Sequence, residues 1–291
     1  MSDYLVRGIA ANGTVRAFAV DTTATVAHAA EYHETHPVVT AALGRTLSAG
    51  AMMGSMMKGE DDIITLTIKG DGPIGSITVT ADSHGNVKGF AGNPAVDIPL
   101  KRPGKLDVGA AVGSGTLTVV MDLGLADPYN GTVELQTGEI GDDFAYYYTV
   151  SEQTPSAVGL GVMVGTDWSV KHSGGFIIQM MPDVEEETIS ALEFILENVS
   201  SVTDMMEQGM SPEDILQHIL GDLGLEITEK RPVQFHCNCS KDRVASALAT
   251  IQTSDLQEMI DDGQDIEVKC YFCNSAYNFS VDELKDILAN R

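Results

Sequence analysis

Positive charge is scarce in this chain. Lysine and arginine supply 17 of its 291 residues against 42 aspartates and glutamates, a formal charge of -25. A field of that sign repels phosphate backbones and anionic membranes, so neither nucleic acid nor a membrane surface is an expected partner. Also lacking is any apolar run of the roughly 18 to 20 residues that a membrane-spanning helix needs. The opening MSDYLVRGIA has neither a charged leader region nor a long apolar segment, and a cytosolic protein is expected. Cysteine is rarer still: four residues, all beyond Pro232. The hydrophobic content of 43% nevertheless belongs to a folded chain. Its length exceeds one ordinary core, which predicts two domains or one large domain with an appendage.

The segments YLVRGIA and VRAFAVD flank Asn12-Gly13, a strong hairpin signal. TATVAHAAEYHE and PVVTAALGRTLSAGAMMGSMMK are alanine-rich and long enough for several helical turns. IITLTIK, GSITVTA, NVKGFAG, GTLTVVMDL and GTVELQT then alternate as strands do, bounded by glycine, aspartate or asparagine turns. They lie too close together for crossover helices. The expected fold class is therefore α+β, with an N-terminal domain (1–182) of largely antiparallel sheet and helices.

From Asp183 to Arg231 thirteen acidic residues stand against two basic ones, with no strand-like alternation. Leu192, Ile195, Leu196, Val199 and Met206 recur at near-helical spacing, giving an acidic side and an apolar stripe. In SPEDILQHIL, Ser211 is placed to cap, Pro212 suits the first turn and Asp214 completes a capping box. Residues 183–231 thus read as a helical linker. Residues 232–291 read as a small separate domain: helices in SKDRVASALATI and SDLQEMI, a hairpin in IEVKCYFCNSAYNF, and a last helix in SVDELKDILA with Ser280 and Glu283 as its capping box. So short a unit has little core, and a metal is the usual remedy.

All four cysteines fall in that unit, as Cys237-x-Cys239, thirty intervening residues, then Cys270-x-x-Cys273. Two close pairs separated by a folded insert are the standard means of setting four thiolates around one tetrahedral Zn²⁺. His236 is an alternative ligand, and Lys241, Arg243 and Lys269 are cations near enough in sequence to favour thiolates. A disulfide closed within either pair would span three or four residues and restrict little chain entropy, whereas zinc ties the pairs together across the insert. If both pairs oxidised locally, every ligand would be consumed and no long-range link restored. Spacing alone leaves an inert staple and a redox switch both open.

CNCSKDRV and VKCYFCNSAYNF resemble the zinc-domain signature of the thirty-three-kilodalton heat-shock protein family of redox-regulated holdases. GDGPIG (70–75), SEQTPS (151–156) and GGFIIQMMP (174–182) are similar to that family's N-terminal motifs. The resemblance spans essentially the whole chain. It implies an ATP-independent chaperone with no catalytic turnover, dormant when reduced and holding one Zn²⁺ per chain on Cys237, Cys239, Cys270 and Cys273. It further implies that oxidation forms the disulfides Cys237–Cys239 and Cys270–Cys273, releases zinc, unfolds the tail domain and linker, and yields dimers that hold unfolding client proteins against aggregation; the reduced form is expected to be a monomer. If the linker undocks on zinc loss, Leu192, Phe194, Ile195, Val199, Met205 and Met206 become an apolar, methionine-containing client-binding patch.

Two other functions compete: a constitutive zinc-binding adaptor, and a thiol-disulfide oxidoreductase using Cys270 and Cys273. The second lacks a thioredoxin-like strand–helix context. GDGPIG lacks the spacing of a nucleotide loop and reads as a turn. The Met52, Met53, Met56 and Met57 cluster reads as core packing, and His28, His33 and His36 as surface helix residues. SEQTPS has no histidine nearby to suggest a triad.

Overall fold

The computed structural model describes residues 2–291, in two compact units that divide between His236 and Cys237. In the first unit, β1 (Tyr4–Ala10) and β2 (Val15–Asp21) form the expected hairpin, with Asn12 and Gly13 both at positive φ. Helices α1 (Thr23–His33) and α2 (Pro37–Ser55) follow, then β3 (Ile63–Gly70), β4 (Ser76–Asp82) and β5 (Asn86–Ala91). A short α3 (Val108–Val112) precedes β6 (Gly115–Asp122), β7 (Tyr129–Glu134), α4 (Gly141–Val150), β8 (Ser156–Val164) and β9 (Val170–Met180). Then come α5 (Glu186–Asn198), α6 (Val202–Glu207), α7 (Pro212–Leu220), β10 (Glu226–Pro232) and β11 (Gln234–Phe235).

Two sheets result, ordered β10-β1-β2-β9-β8 and β11-β5-β4-β3-β6-β7, antiparallel except at the short β11–β5 pairing. Helix α2 packs against strands of both, and nearly every one of its residues is buried. Its small residues permit this: a Cβ added at Gly44 would lie 2.7 Å from Val26 and 2.9 Å from Val162, and one at Gly50 would lie 2.7 Å from Val79. Met52 and Met53 are core residues here, as their neighbourhood of alanine and glycine suggests.

The five-stranded sheet is covered on both faces. Leu5, Phe18, Val20 and Ile177 point into the core around α2, while Val6, Val15, Ala17, Ala19, Phe176 and Ile178 point the other way. That second face is covered by Leu192, Val202, Met205, Met206, Ile215, Leu216, Ile219 and Leu220 of α5 to α7. The segment read as a linker is thus a packed layer of the first unit. Its capping box at Ser211 and Asp214 is present as anticipated. One expectation is corrected: the segment does contain a strand. β10 pairs with β1 from Tyr4↔Pro232 to Ile9↔Glu226, and as an edge strand with mostly exposed side chains it lacks apolar alternation. For the same reason the unit boundary falls after His236 and not at Pro232, since β10 and β11 are held in the two sheets.

The second unit holds α8 (Lys241–Leu248), α9 (Thr253–Asp261), the antiparallel pair β12 (Ile266–Lys269) and β13 (Ala276–Phe279), and α10 (Val281–Ala289). Its buried apolar side chains are Leu248, Leu256, Ile260, Phe279 and Leu284. Ser280 and Glu283 form the expected capping box of α10. No helix among the described residues is long and apolar enough to cross a membrane.

Candidate metal centre

The four cysteines reach one point from two structural contexts. Cys237 and Cys239 lie in the chain leading to α8, whose start is fixed by the Ser240 hydroxyl accepting the Arg243 N–H at 3.2 Å. Cys270 and Cys273 occupy the turn between β12 and β13. There the Cys270 N–H donates to the Ser275 carbonyl at 3.0 Å, and the Asn274 N–H to the Cys270 carbonyl at 2.8 Å. Asn274 closes the turn with φ of 57°, a left-handed conformation that asparagine tolerates better than most residues.

These elements bring all four sulfurs within 4.8 Å of one another. Cys237 Sγ is 3.7 Å from Cys270 Sγ, and Cys239 Sγ is 3.3 Å from Cys273 Sγ. Four thiolates about 2.3 Å from a central zinc stand about 3.8 Å apart at the corners of a tetrahedron. The cluster has that size, and it is far wider than the roughly 2.05 Å of a disulfide. The donor set is soft and closed, as in a structural zinc site. Among the described residues no other group of three or more His, Cys, Asp or Glu side chains has metal-binding geometry; His236, His28, His33 and His36 belong to none.

Burial pushes the Cys237 thiol up, and raises Cys270 as well. Burial also opposes ionisation of Cys273, but hydrogen bonding with the Ser275 side chain and backbone N–H outweighs it and brings that thiol down to about 7. Tyr277, hydrogen-bonded to Cys239 at 3.0 Å, is pushed up to about 12, first by that bond. A bound cation would compensate what burial costs the thiolates. The lysines noted near the cysteines are engaged with carboxylates: Lys241 with Glu283 at 2.5 Å, Lys269 with Glu267 at 3.8 Å.

The residues grouped in the apolar stripe divide. Leu192, Met205 and Met206 are buried, and Ile195 and Val199 pack partly buried against the same cluster. Phe194 is 70% exposed. It stands two residues from Leu192, about 200° around the helix, so it does not belong to the covered face. Sequence reasoning passed over Val202, Ile215, Leu216, Ile219 and Leu220, although the 3.6-residue period of α7 carried the signal. It also passed over Ser275 and Tyr277, whose hydroxyls lie 3.2 Å from Cys273 Sγ and 3.0 Å from Cys239 Sγ once the turn between β12 and β13 has formed.

Comparison with known proteins agrees with this architecture. The family model described as Hsp33 protein matches residues 3–280. The 33 kDa chaperonin of Agathobacter rectalis is 59% identical over 287 residues, covering 99% of this chain and 100% of that protein. The 33 kDa chaperonin of Lachnoclostridium phytofermentans is 54% identical, covering 99% of each. The crystal structure of the 33 kDa chaperonin from Thermotoga maritima superposes with a TM-score of 0.91 at 34% identity, over 100% of this chain and 99% of that one. The four-sulfur cluster and the two-sheet unit therefore stand in a chain that belongs to the Hsp33 family.

Proposed function

We propose that this protein is a redox-regulated, ATP-independent holdase, inactive while Cys237, Cys239, Cys270 and Cys273 hold zinc and active once they are oxidised. The observation that carries the reading is the convergence of four sulfurs, from two separate segments of a unit with a small apolar core, to tetrahedral spacing. A zinc ion bound there supplies cross-linking and charge compensation. The residues do the sensing. Oxidation within each local pair leaves no thiolate for the metal and no bond between residue 239 and residue 270, so the unit loses its brace. The covered face of α5 to α7, or the sheet beneath it, then becomes the client surface, with Leu192, Ile195, Val199, Met205 and Met206 at its centre. Phe194 is a client contact only in its own right, being exposed already.

The function is binding without chemical turnover, in the cytosol, with unfolding proteins as partners and a homodimer formed on oxidation. The net charge of -25 disfavours nucleic acid and anionic membrane as partners. The deciding experiment follows light scattering of a heat-unfolding client beside reduced, zinc-loaded protein and beside oxidised, zinc-free protein. Protection by the oxidised form alone is expected. Equal protection by both identifies a constitutive adaptor, and turnover in an insulin-reduction assay identifies an oxidoreductase.

A further inference from the structure

The two sheets end in four strands, and three of those edges are guarded. β10 carries Glu226, Glu229, Lys230 and Arg231, and β11 is two residues long. β8 runs beside two helices: a Cβ added at Gly141 of α4 would lie 3.3 Å from the Val158 carbonyl oxygen, and one at Gly161 would lie 3.2 Å from the Thr203 nitrogen of α6. The fourth edge, β7, has no proline, no lysine and no bulge along its pairing with β6 from Met121↔Tyr129 to Thr116↔Glu134.

In an antiparallel ladder alternate residues turn their N–H and C=O away from the neighbouring strand. The Leu135 N–H donates to the Gly115 carbonyl at 2.8 Å, so the odd-numbered residues of β7 bond to β6 and the even-numbered ones face outward. The Thr118 and Thr132 hydroxyls, 3.0 Å apart, fit the closer side-chain spacing of such an outward pair. Asn130, Thr132 and Glu134 are exposed, and no further strand of the described residues pairs with them. The Glu134 carbonyl accepts from the Gln136 side chain at 3.0 Å, which leaves the N–H and C=O of Asn130 and Thr132 and the N–H of Glu134 open to a new strand.

An extended polypeptide completes such a row, and the surroundings select its sequence. From Leu106 to Val170, the stretch that supplies β6, β7 and α4, the chain has nine Asp or Glu residues and no Lys, Arg or His. The nearest cation along the rows of the sheet, Lys69, stands two strands in from Glu134. Five of the twelve exposed large apolar side chains also come from this stretch: Leu123, Leu125, Tyr129, Tyr146 and Val150. A second copy would set two such acidic stretches side by side, which opposes self-pairing. We propose that β7 is a docking edge for an extended segment of another polypeptide that alternates apolar side chains with lysine or arginine. Its apolar side chains lie on the α4 side of the sheet, the side of Tyr129 and of Gly131, where an added Cβ would lie 3.1 Å from Tyr147. A cation lies across from Glu134. The edge is open with all four cysteines free, so docking does not require oxidation.

The test titrates the reduced, zinc-loaded full chain with a capped peptide of alternating valine and lysine and follows the backbone amides by NMR. Shifts and slowed exchange at Asn130, Thr132 and Glu134 are expected, with Gly131 and Val133 already protected in the free protein; no response at these amides overturns the proposal. The same peptide N-methylated at alternate residues keeps its charge and loses its strand hydrogen bonds, so it should bind about tenfold more weakly or worse. Equal binding shows attraction by charge alone and overturns strand addition. Thr132→Pro removes one outward N–H and leaves the β6 ladder whole, and it should weaken binding about fivefold or more, the size of one ordinary net hydrogen bond. Glu134→Lys should weaken it about threefold. Unchanged affinity in both variants overturns the proposal; where Thr132→Pro does not fold, judged by exchange in β6, the N-methylated peptide on the wild-type chain decides. Shifts confined to α5 to α7 place the peptide on the helical layer and overturn it. Protection of Asn130 and Thr132 that rises with protein concentration alone makes a second copy the occupant and overturns it as well.

Discussion

Removing zinc from the reduced protein, with no oxidant present, tests the physical basis of the proposed switch most directly. The five buried apolar side chains of residues 237–291 contribute about 1.5 to 3 kcal/mol each, or about 8 to 15 kcal/mol in all. A structural zinc contributes an apparent ~10 to 16 kcal/mol at neutral pH, as much as that whole core. The brace is long-range: a covalent link across the thirty-residue insert would restrict the unfolded chain by about 4 kcal/mol, whereas rings closed within either pair are worth about 1.5 to 2 kcal/mol before strain. Chelation should therefore unfold this unit and leave the two sheets of residues 2–236 intact. Hydrogen exchange read by mass spectrometry gives the assay. Amides of α8, α9 and α10 should lose protection on chelation and on peroxide treatment alike, while those of α2 and β3 keep it. Retained protection of α8 to α10 in the metal-free chain would refute the reasoning. Disulfide mapping supplies the companion result. Sulfur contacts of 3.3 and 3.7 Å run across the pairs, and a cross-bridge between Cys239 and Cys273 would preserve the long-range link, so finding it in the active form would also overturn this account.

Other predictions concern the first unit. Leu216→Asp places an unpaired charge at a fully buried position of α7 and should undock the helical layer, giving client protection in the reduced, zinc-loaded protein; unaltered light scattering with normal hydrogen exchange in α7 would contradict this. Leu192→Ser should cost about 2 to 4 kcal/mol in urea unfolding and Phe194→Ser less than about 0.5 kcal/mol, because only the first faces the sheet. Gly50→Ala should cost about 1 to 3 kcal/mol by crowding Val79, read as a lowered urea midpoint. Burial works against ionisation of Glu139, yet hydrogen bonds from Lys101 and Arg45 hold its carboxyl below the ordinary 4.5. Its contribution is thus full above pH 4.5 and is lost as pH falls through the lower folded value. Glu139→Gln should cost about 1 to 2 kcal/mol at pH 7, with the difference from wild type vanishing under acid titration of the urea midpoint.

Much of this architecture is legible in the residues because local signals agree with it. The Asn12-Gly13 hairpin, the Ser211 and Ser280 caps and the paired cysteines each have a short-range cause. The features that escape are set by distant partners. In SAVGLGVMV and VKHSGGFIIQM the glycines dilute the strand pattern, yet these segments form β8 and β9 because neighbouring strands and α2 supply their contacts. GDDFAYYYTV, rich in residues that favour strands, is helix α4; there the buried Asp143 carboxylate accepts backbone N–H groups of Gln136, Thr137, Gly138 and Ile140 and fixes the helix start. β10 is polar because it is an edge, so its strand character is written in its partner β1. At the sulfur cluster the grouping of the four cysteines is evident from spacing, whereas the hydroxyls of Ser275 and Tyr277 come near them only through the turn between β12 and β13.

In the proposed switch, the fold constrains how a change at the cysteines reaches the helical layer of α5 to α7. The chain that enters Cys237 comes from β10 and β11, so disorder spreading back from the cysteines meets β11, paired with β5, and the buried Val233 before it reaches the β1–β10 ladder. That ladder is tied to the helical layer by one charged cluster. Glu213 of α7 accepts a hydrogen bond from Tyr4 of β1 at 2.6 Å and from Lys230 of β10 at 2.8 Å, and the Lys230 ammonium lies 3.7 Å from the centre of the Tyr4 ring. Peeling β10 away therefore removes the cation from Glu213 and uncovers an edge of β1. What remains to hold α7 is the Tyr4–Glu213 hydrogen bond and its apolar face: Ile215, Leu216, Ile219 and Leu220. An exposed edge strand carrying Glu226, Glu229, Lys230 and Arg231 suits that role, since its side chains bury little and its charges stay hydrated when it leaves. The same exposure keeps the resting contact weak, because exposed ion pairs are screened by salt and water. Loss of structure that travels along the chain from the sulfurs therefore has to free β11 from β5 and Val233 from the core around α2 before the edge strand β10 can leave β1.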